Sequence, residues 1–98
     1  MSLFDGFKVL GFDTETTGLN PRKDRIVQYA FIGRDADGSS VSRTELIDPG
    51  IKIPEASMRV HGISNEDVIG HGSFGKHAED IEELIDGGII IGHNVNGI

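Results

Sequence analysis

Two acidic side chains near the start of this 98-residue chain have the spacing to act together. Asp13 and Glu15 stand at the end of an apolar segment that is predicted to form a β-strand, where residues two apart face the same way. Carboxylate oxygens are preferred ligands of hard divalent cations such as Mg²⁺ and Mn²⁺. Two such cations held together can stabilise the attacking and the leaving oxygen of a phosphodiester displacement. The alternative is a pair of ordinary turn acids, and the spacing alone leaves both interpretations open.

Three predicted strands would position this pair. Residues 7–13 are rich in β-forming residues and apolar on both faces, as in a buried strand. Turn-forming residues at 18–21 end that strand. Residues 25–33 and 42–48 are predicted as the second and third strands, and the loop at 35–39 contains an Asp-Gly turn signal. We expect these three strands to form an antiparallel meander.

Helices and a fourth strand are predicted in the second half of the chain. A helix begins around Pro54, near its first helical position, and ends at His61-Gly62. Residues 64–67 resemble a helix cap followed by a short helix. A longer helix that ends at Gly87-Gly88 is predicted from four apolar residues on one face: Phe74, Ala78, Ile81 and Ile85. Residues 89–91 are a fully apolar strand that we expect to be central. The sequence therefore predicts an α/β fold with a mixed sheet, incomplete at its C-terminal end.

The composition fits one small domain and limits the classes of function. The chain has 9 basic and 16 acidic residues, a net charge of −7, which argues against tight electrostatic binding of nucleic acid. An enzyme that reaches a strand end through bound metal ions is still compatible with this charge. No cysteine is present, so disulfide and thiol chemistry are excluded. We find no signal peptide and no apolar run that could span a membrane, and we expect a soluble cytoplasmic protein.

The motif around the acidic pair resembles that of a known enzyme family. Gly11 to Leu19 is similar to the first motif of the DEDD superfamily of 3'→5' exonucleases, in particular the proofreading epsilon subunit of DNA polymerase III, with ribonuclease T as a cousin. Four later segments resemble the same family in the correct order: residues 25–28, 48–55, 61–64 and 91–95. The resemblance implies a ribonuclease H-like fold and a site that binds two Mg²⁺ or Mn²⁺ ions.

The resemblance also implies roles for individual residues. Asp13 would be a catalytic ligand that bridges both metal ions, and Glu15 a catalytic ligand of the ion that activates water. Substrate contacts are implied for six more residues: Thr16, Thr17, Gly18, Leu19, His61 and Asn94. Among them, Leu19 would pack against the terminal base and Asn94 would support the site from the second motif. The implied partner is the 3' end of single-stranded DNA or RNA, with a polymerase subunit as a further candidate.

Part of the family pattern has no counterpart in this sequence. The third carboxylate of the family corresponds to position 98, which is Ile98, and the motif with the general-base histidine and the fourth carboxylate is absent. We therefore interpret residues 1–98 as the N-terminal portion of a single exonuclease domain, which is either truncated or a natural short form. The competing hypotheses are a 3'→5' exonuclease, weak or inactive in this form, and an inactive module that binds a partner or dimerises through an apolar edge at 89–91.

Two other patterns resemble binding sites only superficially. Residues 70–75 fit a G-x-G-x-x-G pattern, but a dinucleotide fingerprint requires a strand directly before it, and none is predicted there. The four histidines lack the paired spacing of a zinc site. We expect loop or solvated histidines, with His61 as the exception.

Overall fold

The computed structural model describes residues 6–20 and 22–92. Its elements are β1 (Val9–Thr16), β2 (Ile26–Arg34), β3 (Ser40–Leu46), α1 (Glu55–His61), α2 (Phe74–Ile85) and β4 (Ile89–Gly92). The strands form one sheet in the order β3-β2-β1-β4. The first three pair antiparallel, and β4 runs parallel to β1. This confirms the predicted α/β fold with a mixed sheet, and β1 is longer at its C-terminal end than predicted.

Close contact between β1 and β2 sets the register of the meander. Phe12 lies opposite Phe31, and their rings stack with centroids 4.9 Å apart. Gly33 is required in this pairing, because a Cβ atom there would overlap the carbonyl oxygen of Val9. The β2–β3 loop closes through a hydrogen bond from the Asp35 N–H to the Ser39 carbonyl, 2.9 Å long. The meander is therefore fixed by apolar pairs and by one close backbone approach.

The core lies on one face of the sheet. One buried cluster contains Leu10, Tyr29, Phe31 and Ile47, and Ile81 and Leu84 of α2 pack against it. A second cluster joins Val27 of β2 to three residues from the segments around α1: Ile53, Ile63 and Val68. Burial of these side chains supplies the main favourable free energy of folding. The helical segments thus cover the face of β1 that carries Leu10 and Thr14.

The helix α2 forms where a helix is predicted and is tied to the start of β1. The Lys8 ammonium group donates to the carbonyl oxygens of Glu83, Leu84 and Asp86 at 3.4, 3.1 and 3.4 Å. These contacts satisfy main-chain acceptors that a helix C-terminus leaves unpaired, and they place a cation at the negative end of the helix dipole. Lys8 therefore links α2 to the strand that carries the acidic pair.

Two predictions about the second half of the chain were wrong. The apolar strand β4 lies at an edge of the described sheet, not at its centre, since β1 takes the position between β2 and β4. Residues 65–70 form turns, not a short helix. The predicted cap pair does form, with the Ser64 N–H donating to the Asp67 carboxylate at 2.9 Å. Gly70 and Gly72 then take positive φ values of 85° and 80°, which end the helical path before a second turn.

Candidate active site at the end of the first strand

Asp13 and Glu15 lie on the same face of β1, opposite the core. Thr14 between them is only 5% exposed and faces the buried side, whereas both acids are half-buried. Asp13 pairs in register with Ala30 and Glu15 with Gln28, so small and polar residues flank the two carboxylates. The Thr14 N–H donates to Oδ1 of Asp13 at 3.0 Å. The alternation predicted from the sequence is thus present, and it directs both carboxylates to one side of the sheet.

This side of the sheet, which we call the open face, is not covered by either described helix. Gly11 lies between Ile32 of β2 and Ile91 of β4, and these two isoleucine side chains are 65% and 55% exposed. Asp13 and Glu15 continue the same face toward the end of β1. Within residues 6–20 and 22–92, the acidic pair is therefore reachable from outside the sheet.

The strand ends in a loop with a defined conformation. The pairing of β1 with β2 is irregular between Glu15 and Thr16. Directly after it, the Thr17 N–H donates to the carbonyl of Arg25 at 2.8 Å, and the Arg25 N–H donates to the Thr17 hydroxyl at 2.9 Å. The Thr16 hydroxyl donates to the Gly18 carbonyl at 2.6 Å. We call residues 17–25, apart from residue 21, the hairpin loop.

The Asp24 side chain holds the hairpin loop together by hydrogen bonds. Its carboxylate accepts hydrogen bonds from the Asn20 N–H and the Thr17 hydroxyl, both 2.9 Å long. These two bonds, the Asn20 N–H first, hold the pKa of Asp24 below its ordinary value. A Cβ atom at Gly18 would lie 2.5 Å from Oδ2 of Asp24, so this position has no room for a side chain. Sequence reasoning missed Asp24, because its only signal was an acid four residues after a turn-forming Asn.

Leu19 and His61 are placed differently relative to this loop. The Leu19 side chain is 81% exposed at the tip of the turn that follows the acidic pair. The Ser57 hydroxyl of α1 donates to the Thr17 carbonyl at 2.6 Å. His61 is four residues after Ser57 and therefore on the same face of α1. The structure thus joins α1 to the loop that contains Thr17 through Ser57.

The His61 ring has one nitrogen engaged and one unpaired. Nδ1 accepts a hydrogen bond from the Ile63 N–H at 3.0 Å. A neutral imidazole that accepts at Nδ1 carries its proton at Nε2. Nε2 is buried and has no hydrogen-bond partner in the part of the chain that the structure describes. His61 therefore has a buried N–H donor that no described residue pairs with.

His77 has a structural role. Nε2 of His77 lies 2.6 Å from the carbonyl oxygen of His71, and Nδ1 lies 3.2 Å from the Tyr29 hydroxyl. The geometry fits a ring that donates from Nε2 and accepts at Nδ1. Burial raises the pKa of the Tyr29 phenol. This ring joins α2 to the core strand β2.

The described residues supply two candidate metal ligands at this site. Within residues 6–20 and 22–92, no group of three or more His, Cys, Asp or Glu side chains is placed to hold a metal ion. Asp13 and Glu15 provide the oxygen donors that Mg²⁺ and Mn²⁺ prefer, so the donor chemistry fits these ions. Asn94, predicted from the second motif, lies outside the described residues. Neither described helix is long and apolar enough to cross a membrane.

Comparison with known proteins identifies the family of this chain. A family model described as Exonuclease (RNase_T) matches residues 10–98. DNA polymerase III subunit epsilon of Treponema pallidum (strain Nichols) is 31% identical over 85 residues, which cover 87% of this chain and 40% of that protein. The chain thus spans less than half the length of this relative.

Solved structures share the fold. Exonuclease X in complex with 5' overhanging duplex DNA is 26% identical, with a TM-score of 0.67, and the match covers 91% of this chain and 50% of that one. A complex of exonuclease I with SSB-Ct has a TM-score of 0.75 at 23% identity, over 92% of this chain and 21% of that one. The sheet and helices described above are therefore an exonuclease fold.

Proposed function

The chain belongs to the exonuclease family whose model matches residues 10–98, and from this premise we propose that it is the N-terminal portion of a metal-dependent 3'→5' exonuclease domain. The reaction would be hydrolysis of the terminal phosphodiester bond of a nucleic acid strand. The observation that carries the proposal is the pair Asp13 and Glu15, which face the same way on the open face at the end of β1. Within the described residues, the acidic pair of the family's first motif is thus accessible to the end of a nucleic acid strand.

Asp13 and Glu15 would hold Mg²⁺ or Mn²⁺. Such ions, when bound as a pair, supply a nucleophile at neutral pH and stabilise charge on the leaving oxygen. The Thr14 N–H, at 3.0 Å from Oδ1, orients the Asp13 carboxylate. The regular pairing of Asp13 and Glu15 with β2 fixes the main-chain positions of these two residues. A rigid scaffold of this kind is what a pre-organised site requires.

The loop after β1 would bind the terminal nucleotide. Main-chain groups at Thr16, Thr17 and Gly18 lie in the hydrogen-bonded turn directly after Glu15. Leu19 would pack on the terminal base, which its 81% exposure supports. His61 is proposed as a further substrate contact on the basis of the family motif, and its Nε2 atom, which is buried among the described residues, would have to become accessible to donate to a substrate oxygen. Asn94 is proposed as a further contact on the basis of the second motif alone.

DNA is the substrate that we propose, with a polymerase subunit as partner. The support is indirect: one relative is a DNA polymerase III subunit, and one structural neighbour was solved with DNA. Proofreading would follow from such an association. A strand-shortening assay on matched DNA and RNA oligonucleotides would separate the two substrates.

The first experiment combines cleavage with metal binding. A 5'-labelled single strand is incubated with Mn²⁺ and the wild-type chain, Asp13→Asn, Glu15→Gln or Glu66→Gln, the last being an exposed acid away from β1. Because the later catalytic groups have no counterpart in this chain, we expect weak or absent shortening, and any shortening from the 3' end should be limited to the wild type and Glu66→Gln. Mn²⁺ binding, measured by electron paramagnetic resonance, should weaken by about tenfold or more in the first two variants.

The two readouts separate the possible failures. Mn²⁺ binding that depends on Asp13 without strand shortening would mean that this chain holds metal but lacks the later catalytic groups. Equal Mn²⁺ binding by the wild type and Asp13→Asn would contradict the proposed metal site.

A second candidate function is a non-catalytic module that pairs with another chain. The observation that favours it is the exposed apolar row of Ile32 and Ile91 on the open face, next to the edge of β4 that pairs with no other described strand. Exposed sheet edges and apolar patches promote association. Sizing chromatography over a range of concentrations tests it, and a monomer at every concentration would count against it.

A further inference from the structure

The hairpin loop carries a large share of the exposed positive charge of this acidic protein. The sequence has nine basic residues against sixteen acidic ones. Three of the nine lie close together inside the hairpin loop, and all three are exposed: Arg22, Lys23 and Arg25. The loop directly follows the strand that carries Asp13 and Glu15. A local cluster of cations therefore borders the candidate site.

Most basic side chains elsewhere in the described ranges already have partners. Four of them pair with carboxylates or with main-chain carbonyl oxygens: Lys8, Arg34, Arg43 and Arg59. In contrast, Arg22 and Arg25 form no side-chain ion pair with any described residue. Lys23 lies near Asp24 and helps to lower the pKa of that carboxyl. Arg22 and Arg25 are thus the loop cations whose charge is available to a ligand.

The backbone of this loop is held beside the acidic pair. Two hydrogen bonds of 2.8 and 2.9 Å join Arg25 to Thr17, which is two residues after Glu15. The Asp24 carboxylate fixes the loop from inside through Thr17 and Asn20. The main chain that carries the cations is therefore ordered next to Asp13 and Glu15.

We infer that Arg22 and Arg25 form a phosphate-contacting surface for the strand whose 3' end lies at Asp13 and Glu15. The contact would be with phosphodiester groups on the 5' side of the terminal nucleotide. This inference depends on the proposed function and adds a second binding element to it. Guanidinium groups match phosphate oxygens in geometry and charge, and phosphate contacts position a strand without reading its sequence.

The charge of the rest of the protein favours this location. With a net charge of −7, most of the surface repels a polyanion, and only a local excess of cations attracts it.

The test measures binding without cleavage. Fluorescence anisotropy of 5'-labelled dT12, rU12 and dT2 is followed at several salt concentrations with Ca²⁺ replacing Mn²⁺. Arg22→Ala/Arg25→Ala is compared with Lys52→Ala/Lys76→Ala, which removes the same charge from exposed positions outside the loop. Loss of two phosphate contacts should reduce the slope of log K against log salt by about 1.4 for dT12. The control should change it far less, and rU12 should respond like dT12 because the contact is with phosphate.

Several outcomes would overturn the inference. Equal salt slopes for the two double variants would overturn it. Equally tight binding of dT2 and dT12 by the wild-type chain would also overturn it, and this comparison needs no variant. Absence of binding to every oligonucleotide would also overturn it. The proposed function fails by a different readout, namely Mn²⁺ binding or strand shortening that does not depend on Asp13. A loss confined to the arginine variant with intact Asp13-dependent cleavage would leave the function standing and confirm the inference.

Discussion

At the scale of residues, the candidate site depends on a carboxylate that is not itself a proposed ligand. Asp24 accepts one hydrogen bond from the main chain of Asn20 and one from the side chain of Thr17. It also fills the space that a side chain at position 18 would occupy. The loop that follows Asp13 and Glu15 therefore has its shape set by the fit between Gly18 and Asp24.

This fit predicts coupling between the two positions. Gly18→Ala places a methyl group 2.5 Å from Asp24 and should destabilise the protein by about 1–3 kcal/mol, as overpacking does. In an Asp24→Ala background the same substitution should destabilise it much less. A double-mutant cycle of chemical denaturation measures the coupling free energy. Additive effects of the two substitutions would contradict the proposed fit.

Asp24 also predicts a pH dependence. Its pKa in the folded state is lower than the ordinary value of 3.8, because the ionised carboxylate accepts the Asn20 and Thr17 hydrogen bonds. A lowered folded-state pKa stabilises the protein above pH 3.8, and this contribution is lost as the pH falls through the folded-state value. Asp24→Asn should therefore lower the thermal midpoint at neutral pH, and the difference from wild type should shrink below pH 3.8. Melting curves across this range measure it; a constant difference would argue against the assignment.

At the scale of elements, close backbone contact and helix propensity make opposite demands on glycine. Gly33 of β2 sits against the Val9 carbonyl and has no space for a Cβ atom, whereas a Cβ at Gly75 in the first turn of α2 would meet only the Ser73 hydroxyl at 3.8 Å. The β1–β2 pairing requires glycine at position 33. Glycine at position 75 has no such requirement and only lowers the helix propensity of α2.

These two glycines form a matched pair for mutation. Gly33→Ala should disrupt the β1–β2 pairing and destabilise the protein by about 3 kcal/mol or more, since main-chain atoms would have to move. Gly75→Ala should stabilise α2 by up to about 1 kcal/mol. Urea denaturation followed by circular dichroism compares both with wild type. A tolerated Gly33→Ala would show that the β1–β2 register differs from the one described.

At the scale of the whole molecule, all described packing is on one face of the sheet. Both core clusters lie on the side covered by α1, α2 and their connections. The open face presents the acidic pair at one end and the apolar row of Ile32 and Ile91 beside it. The same surface thus offers a reachable site and an apolar area that favours contact with other protein surfaces.

The open face predicts concentration-dependent association of this 98-residue chain. Ile32→Lys should reduce association, because it places a charge in the apolar row. Val60→Lys is the control, since Val60 is 83% exposed on α1. Sedimentation velocity at several concentrations measures the effect. Equal behaviour of the two variants would place any association elsewhere on the surface.

The sequence determined those features that depend on local patterns. Alternation along β1 placed Asp13 and Glu15 on one side, and the spacing of Phe74, Ala78, Ile81 and Ile85 predicted the helix α2, although Phe74 and Ile85 are exposed in the structure. Turn residues separated the three antiparallel strands. The family motif indicated the chemistry, because it is a continuous run of residues whose order is readable without the fold. Its proposed roles for individual residues stay predictions.

Only the tertiary structure decided which distant groups meet. The apolar run of β4 indicated burial but not its neighbours, so its edge position beside β1 could not be predicted. The turns at 65–70 replaced a helix because two glycines with positive φ follow the cap. The contacts of Thr17 with Asp24, Arg25 and Ser57 join residues up to 40 positions apart. Local sequence patterns carry no information on such contacts, because they form only when the packed core brings the segments together.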